Sequence, residues 1–424
     1  MGKYRVGVVG AVRGMHVAAY FKNFDCDLVA LFDINKETAQ SQLKNLSEGA
    51  VLCDSFEELF EHNLDIMVLG NNFHEHAPYA IECFKRGIHV YSECISNGTM
   101  AEGVQLIRAY EKYGKEKGVI YMLAENYMHF LHNIEMKRLA DAGKLGKILF
   151  SECEYNHASN PNDPSWRKRL SFNEKHWRNF LPRSYYLTHS LGPIMWITGA
   201  TPKRVVALPV YQKLNKTRPT LSHVGDALSV ITTFNDDGSA FRFSGHSGMA
   251  GESYWTRIAG TKAQVENARC MKEMNRVFLH YNPWDLPEGV DKPDLEYIPE
   301  WNDPDEDKIK GAGHWGGDFI TPRKFMACIR EGKQPEHPFD IYSAINMSSV
   351  AILAHRSVLN GGMPFDIPDF HKEEERVKYE NDWQSPFYCM DGREPNIPCC
   401  ANPDGEPTEE QINAYFEMIG IERK

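Results

Sequence analysis

Apolar residues in the first third of this chain gather into short continuous runs separated by helical stretches. Arg5-Val6-Gly7-Val8-Val9-Gly10 predicts a buried strand ending in glycine, and Ala11 to His16 a tight turn leading into a helix over Val17 to Lys22. Leu28 to Asp33 predicts a second buried strand, this one ending in an acid. Asp65 to Gly70, Ile88 to Glu93 and Val119 to Leu123 predict three more. Between them, Ser55-Phe56-Glu57-Glu58 and Thr99 with Glu102 read as capping boxes that open helices, and a further helix carries Ala80, Ile81, Cys83 and Phe84. Strands alternating with helices predict a parallel, doubly wound sheet whose ligand crevice lies at the carboxyl ends of the strands. Those ends carry Gly10, Asp33, Asn71-Asn72, Glu93 and Glu125-Asn126.

Past Asn126 the pattern changes. A helix over about Asn133 to Ala142 precedes a long strand from Lys147 to His157, then a loop rich in Pro, Asn, Trp and basic residues from Ala158 to Arg183. A helix begins near Leu187. Arg204 to Tyr211, Leu228 to Phe234 and Ser239 to Gly245 read as strands, the last two joined by the hairpin turn Asn235-Asp236-Asp237-Gly238, and Arg257 to Ala263 reads as another hairpin. Helices return over Asp318 to Arg330 and Ile341 to Leu359. The expected architecture is α/β plus α+β: a nucleotide-binding domain over 1–124, an open, mainly antiparallel sheet domain over 125–370, and a polar surface tail over 371–424. No internal repeat is present.

The first 35 residues carry a specific chemistry. Strand, glycine turn, helix and strand bring an acid 23 residues after the turn glycine, as a dinucleotide site needs. Glycine lets the backbone approach a pyrophosphate at a helix N-terminus, and the acid accepts hydrogen bonds from a ribose diol. The glycine spacing is irregular, with Val12 where a second glycine is usual and Gly14 one residue early. Asp33 settles the reading as a Rossmann domain and favours NAD, since a carboxylate repels the 2′-phosphate of NADP.

Composition narrows the partners. A formal charge of −11 over 424 residues disfavours nucleic acid. No apolar run is long enough to span a membrane, and the N-terminus runs straight into a strand without a signal peptide. The ten cysteines form no C-x-x-C pair, and Cys26, Cys83 and Cys153 sit in strand or helix patterns, which suits a reducing cytoplasm. Cys399-Cys400 read as free thiols. His74-x-His76 and His129-x-x-His132 have possible metal-ligand spacings, but the second reads as a solvated helix start and no metal is expected.

Residues 3–370 resemble the glucose–fructose oxidoreductase/inositol dehydrogenase/MocA (Gfo/Idh/MocA) family. The resemblance rests on the N-terminal stretch, on His76-Ala77-Pro78, on Val90-Tyr91-Ser92-Glu93 and on Gly143-Lys144-Leu145-Gly146-Lys147-Ile148. It implies a Rossmann domain followed by an open antiparallel sheet that covers the nicotinamide, and NAD(P)-dependent oxidation of sugar or polyol hydroxyls. Ordinary dehydrogenases of the group carry Glu-Lys-Pro at the fourth strand end. This chain has Glu93-Cys94-Ile95, and a cysteine supplies no equivalent positive charge. The NAD-dependent glycosidase branch, best known for α-N-acetylgalactosaminidases, also lacks that lysine. The chain is similar to that branch at Leu123-Ala124-Glu125-Asn126, at Glu154-Tyr155-Asn156-His157, at Tyr186-Leu187-Thr188-His189 with Ser190-Leu191-Gly192-Pro193, and at Gly313-His314-Trp315-Gly316-Gly317-Asp318.

The resemblance implies tightly held NAD and glycoside cleavage through oxidation at C3, elimination, hydration and re-reduction, outside the two-carboxylate mechanism. Tyr186 and His189 become the acid/base pair; three apart, they share a face if the stretch is helical. Glu125 and Tyr155 become proton-relay or substrate-binding groups. His157, on the same side of a strand as Tyr155, joins Arg178 and His314 as a substrate-binding candidate. The cofactor set is Gly10, Val12, Arg13, Gly14, Asp33, Asn71, Asn72, His76, Glu93, Cys94 and Asn126. Trp166, Trp177, Arg167, Arg169 and Arg178 suit sugar stacking and hydrogen bonding. The expected partner is a sugar or glycoside, and the expected assembly a homodimer or homotetramer. The alternatives are a net NAD-dependent sugar or glycoside dehydrogenase and a non-catalytic nucleotide-binding regulator.

Overall fold

The computed structural model describes residues 2–157, 173–211, 219–245, 249, 251–402 and 404–423. Trp166, Arg167 and Arg169 of the long loop lie outside the described residues. Six strands form the first sheet: β1 (Tyr4–Val9), β2 (Cys26–Phe32), β3 (Val51–Cys53), β4 (Ile66–Leu69), β5 (His89–Ser92) and β6 (Tyr121–Leu123). Their spatial order is β3-β2-β1-β4-β5-β6, and every pair is parallel. The order reverses between β1 and β4, which places the crevice beside the turn after β1. β4 is buried along its whole length, as a strand covered on both faces must be. The short edge strand β3 has no counterpart in the sequence reading, because three residues are too few to show a period.

The helix after the first turn spans Arg13–Phe21 and so begins four residues before the sequence pattern suggests. At the helix Phe56–Leu59, Ser55 accepts from the Glu58 amide, but the Glu58 carboxylate bonds the amide of Asp54 rather than that of the cap. Thr99 and Glu102 form the full reciprocal box.

The second sheet has nine strands: β7 (Ile148–Asn156), β8 (Pro202–Tyr211), β9 (Asp226–Asn235), β10 (Ala240–Ser244), β11 (Ser253–Gly260), β12 (Ala263–Asn267), β13 (Val277–Tyr281), β14 (Asp294–Tyr297) and β15 (Phe365–Asp366). They run β14-β13-β12-β11-β7-β10-β9-β8-β15, antiparallel except where β10 pairs with β7. Long helices, Thr188–Thr198 and Ile341–Leu359, bury almost every residue between this sheet and the first domain. The opposite face of the sheet leaves Leu208, Val230 and Phe234 more than 40% exposed, with Leu208 directly opposite Val230.

The segment after Phe370 is more than a surface covering. A helix over Glu409–Ile419 is opened by a Thr408/Gln411 capping box, a signal present in the sequence. Phe387 is wholly buried, stacked on His74 at 4.5 Å and edge-on to Tyr185. Arg393 reaches Glu102 at 2.7 Å, and the Met390 amide donates to Glu75 at 2.6 Å. Such contacts are built by side chains far apart in sequence, so local polarity hides them. Phe387→Ala should cost about 3–5 kcal/mol for the lost apolar burial and the cavity left behind. Urea unfolding monitored at two wavelengths would read this; a loss under about 1 kcal/mol would mean that the tail is not integral to the fold.

Candidate active site at the domain junction

The turn after β1 is shaped for a phosphate. Gly10 has φ +98°, and a Cβ there would sit 2.3 Å from the Gly70 carbonyl oxygen. The helix at Arg13 has a valine at its cap, no side-chain cap and no acid in its first turn, so its positive end is left for an external anion. Asp33 accepts from the Ala11 amide at 2.6 Å and from the Asn35 amide at 2.7 Å, which fixes the carboxylate beside the turn. Asn71 donates to the Glu75 carbonyl while its own Oδ1 is buried without a partner. Asn72 donates to the Glu75 carboxylate at 2.6 Å. These groups fit a dinucleotide.

Other members of the expected cofactor set have protein partners. His76 is buried, with Nδ1 on the Ile95 carbonyl at 2.7 Å, and burial pushes its pKa down to about 4. It is a neutral ring that holds the stretch after Cys94. Arg13 donates to Glu93 at 2.7 Å and to Asp318 at 3.0 Å. Asp318 also receives Asn126 at 2.8 Å, His16 at 2.9 Å and His314 at 2.7 Å. Burial alone would raise its carboxyl, but the bonds from His16, His314 and Arg13 outweigh it and hold the group far below the usual carboxylate range. His16, and the tie of Asp318 to the first helix, escape sequence reasoning because Arg13 and His16 lie more than 300 residues from Asp318.

A second buried carboxylate organises the proton chemistry. Glu125 is fully buried. It accepts from His189 Nδ1 at 2.9 and 3.0 Å, from the Tyr127 amide at 3.0 Å and from the Cys94 thiol at 3.3 Å. Burial raises its carboxyl, and His189 with these donors brings it net below the ordinary value. Burial next to Glu125 also keeps the Cys94 thiol neutral. An ionised Glu125 assigns the proton of His189 to Nδ1, from the hydrogen-bond network, and leaves Nε2 as the basic nitrogen.

Three tyrosines surround that imidazole. Tyr127 stacks on it at 4.1 Å, Tyr155 meets it edge-on at 5.0 Å and Tyr186 edge-on at 5.1 Å. Tyr127 and Tyr155 meet edge-on, with ring centroids 5.4 Å apart. Burial pushes Tyr186 up to about 12 and Tyr155 well above its ordinary value. The helix starts at Thr188, so Tyr186 belongs to the preceding turn rather than to a shared helix face. The turn brings the pair together all the same.

The expected substrate residues are spread more widely. His157 stacks beside Tyr155 at 6.0 Å, as period two requires, and its Nδ1 meets Glu252 at 3.1 Å. His314 has φ +48° and turns toward Asp318. Trp177 is not an open sugar platform: it is buried, stacked on Phe73 at 5.1 Å and capped by the Arg178 guanidinium at 4.3 Å. Phe73 in turn stacks on Tyr186. His129 and His132 are both buried, not solvated, with His132 Nδ1 on Asn275.

Two family models match stretches of the chain. Residues 4–121 match the model of the oxidoreductase family (Gfo/Idh/MocA), NAD-binding Rossmann fold, and residues 256–376 match that of glycosyl hydrolase 109, C-terminal domain. These matches support an NAD-dependent enzyme whose N-terminal part is similar to the Gfo/Idh/MocA oxidoreductases. Residues 256–376 are similar to the C-terminal domain of glycosyl hydrolase 109 proteins. A glycosyl hydrolase family 109 protein of Shewanella putrefaciens is 24% identical over 420 residues, covering 87% of this chain and 85% of that protein. The α-N-acetylgalactosaminidase of Shewanella oneidensis is 24% identical over 410 residues, covering 86% and 84%. Among solved structures, levoglucosan dehydrogenase with NADH and levoglucosan shares the fold at a TM-score of 0.67 and 17% identity, covering 87% of this chain and 100% of that one. The aldose–aldose oxidoreductase of Caulobacter crescentus does so at 0.63 and 15%, with the same coverage.

Asp318→Asn removes the charge that Arg13 and both histidines face. It should lower stability at pH 7 by about 1–3 kcal/mol. Because the folded chain binds this proton more weakly than the unfolded chain, the contribution is full above the ordinary Asp pKa of about 3.9 and fades as pH falls below it. Unfolding of both proteins from about pH 7 down to about pH 3 should show the gap closing; a constant gap would rule out the charge as its cause.

Proposed function

We propose that the chain cleaves glycosides with NAD held in the first domain. When bound, NAD supplies reversible hydride transfer at C3 of a sugar ring, and the ketone so made on the substrate acidifies the C2 proton. The turn of Gly10, Val12 and Gly14 and the carboxylate of Asp33 would hold the cofactor, Asp33 disfavouring a 2′-phosphate. The observation that carries the reading is His189 oriented by a fully buried Glu125 inside a ring of tyrosines. His189 takes a substrate proton at Nε2, and the Glu125 charge stabilises the imidazolium that results. Tyr186, protonated at neutral pH, gives a proton to the departing glycosidic oxygen. Tyr155 and Tyr127 orient the sugar hydroxyls and exclude water from the far side of the imidazole.

Cys94 supports cleavage over net oxidation. It stands where ordinary dehydrogenases of the class place a lysine, and its neutral thiol donates to Glu125 instead of adding a charge. With hydride returned in each cycle, product should form without net NADH and, in D₂O, carry deuterium at C2. Tyr186→Phe and His189→Ala should each lower turnover on the order of 10²-fold or more and leave NAD bound. Stoichiometric NADH with a 3-keto product would establish a dehydrogenase instead; full activity in both variants would move the chemistry elsewhere.

We also propose that the outer sheet face pairs copies of the chain, because Leu208, Val230 and Phe234 form an exposed apolar strip on adjacent strands. Light scattering at micromolar concentration should give a dimer or tetramer, and Val230→Lys with Phe234→Glu a monomer. A monomeric unmodified protein would end this proposal.

A further inference from the structure

The loop that carries His314 has a second face. His314 and Trp315 are both held at positive φ, +48° and +47°, a conformation that costs energy for a residue with a side chain and persists only where the surroundings impose it. Here the surroundings are the His314 bond to Asp318 and the Gly313 amide bond to the Tyr20 hydroxyl. The result sends the two neighbouring side chains to different places. His314 turns to Asp318. Trp315 packs edge-on to Phe130 at 5.3 Å and stays 47% exposed.

The exposed indole forms one wall of a groove of about 560 Å³. A second tryptophan, Trp301, lines it with Asn275, Glu300, Glu306 and Lys310. Lys310 and Glu306 are paired, and Asn275 Oδ1 is engaged by His132, so the polar rim is itself tied down. Phe130, wholly buried behind Trp315, lies 4.4 Å from Tyr127 and so links the exposed indole to the aromatic wall of the His189 cluster.

We propose that this groove is a subsite for a second pyranose ring, so that the substrate is an oligosaccharide rather than the glycoside of a small alcohol. A pyranose has apolar C–H faces and an equator of hydroxyls. Indole faces suit the first, while carboxylates, an amide and an ammonium at the rim suit the second. The proposal rests on the glycoside reading above and names what lies beyond the bond that is cut.

The test has two arms, both on the full chain. In the first, the unmodified protein and the Trp315→Ala and Trp301→Ala variants are applied to a glycan array holding mono- to pentasaccharides. The unmodified protein should retain particular oligosaccharides over their terminal monosaccharides, and each variant should lose about tenfold of that retention. Trp301 is partly buried, so Trp315→Ala, at an exposed position, decides if the other variant folds poorly. In the second arm, kcat/KM is measured for a 4-nitrophenyl monosaccharide and for the same sugar linked to a second one. The ratio of oligosaccharide to monosaccharide should fall about tenfold in Trp315→Ala. Loss of array binding in a protein that turns over neither substrate would keep the subsite and reject the glycoside reading. Turnover with an unchanged ratio and unchanged array binding would keep the glycoside reading and reject the subsite.

Discussion

One buried carboxylate holds this molecule's two halves in register. Asp318 opens the helix Gly317–Glu331 of the second domain, yet its oxygens are taken by Arg13 and His16 from the first helix of the nucleotide domain. It also holds His314 and Asn126. A charge sealed from water is tolerated only when donors saturate it. The requirement works in both directions here: the donors must come to Asp318, and in coming they fix the helix N-terminus, the strand end at Glu93 and the loop over them. The Gly10 turn and the proton-transfer cluster share a frame because this charge cannot be left unpaired.

Glu125 repeats the logic a short way off, with one difference. Its donors include a group that can give its proton away. His189 is held by the carboxylate on one ring nitrogen, which commits the other to the substrate side. Cys94 matters in the same balance. A lysine at that position would compete with His189 for Glu125, whereas a thiol donates weakly and leaves the pair intact.

The first sheet was legible because strands such as β1 and β4 are buried on both faces and so read as unbroken apolar runs. β3 was not, being three residues long at an edge. Tyr186, His189, Glu125 and Tyr155 were legible as a set through resemblance, and the structure brings their side chains together; spacing alone would have put Tyr186 on the wrong element. Asp318 was visible only as the end of a motif, because its work is done with residues at the other end of the chain. Trp177 shows the opposite failure. An aromatic beside an arginine in a polar loop looks available, but Phe73, His176 and the Arg178 guanidinium already pack on its ring. Residue type conveys what a group can bind, and only packing conveys whether the place is taken.

The tail that returns to the first domain has a consequence for how the chain matures on the ribosome. Glu75 and Glu102 are synthesised early, but the Met390 amide and Arg393 that satisfy them follow 315 and 291 residues later. Until then the Asn71–Glu75 loop, on the rim of the dinucleotide crevice, lacks the Met390 amide that holds its single acid, Glu75. Domains made first usually fold first. In this chain the first domain gains its last contacts only after residues 390 and 393 have been translated, so its final packing waits on nearly everything else.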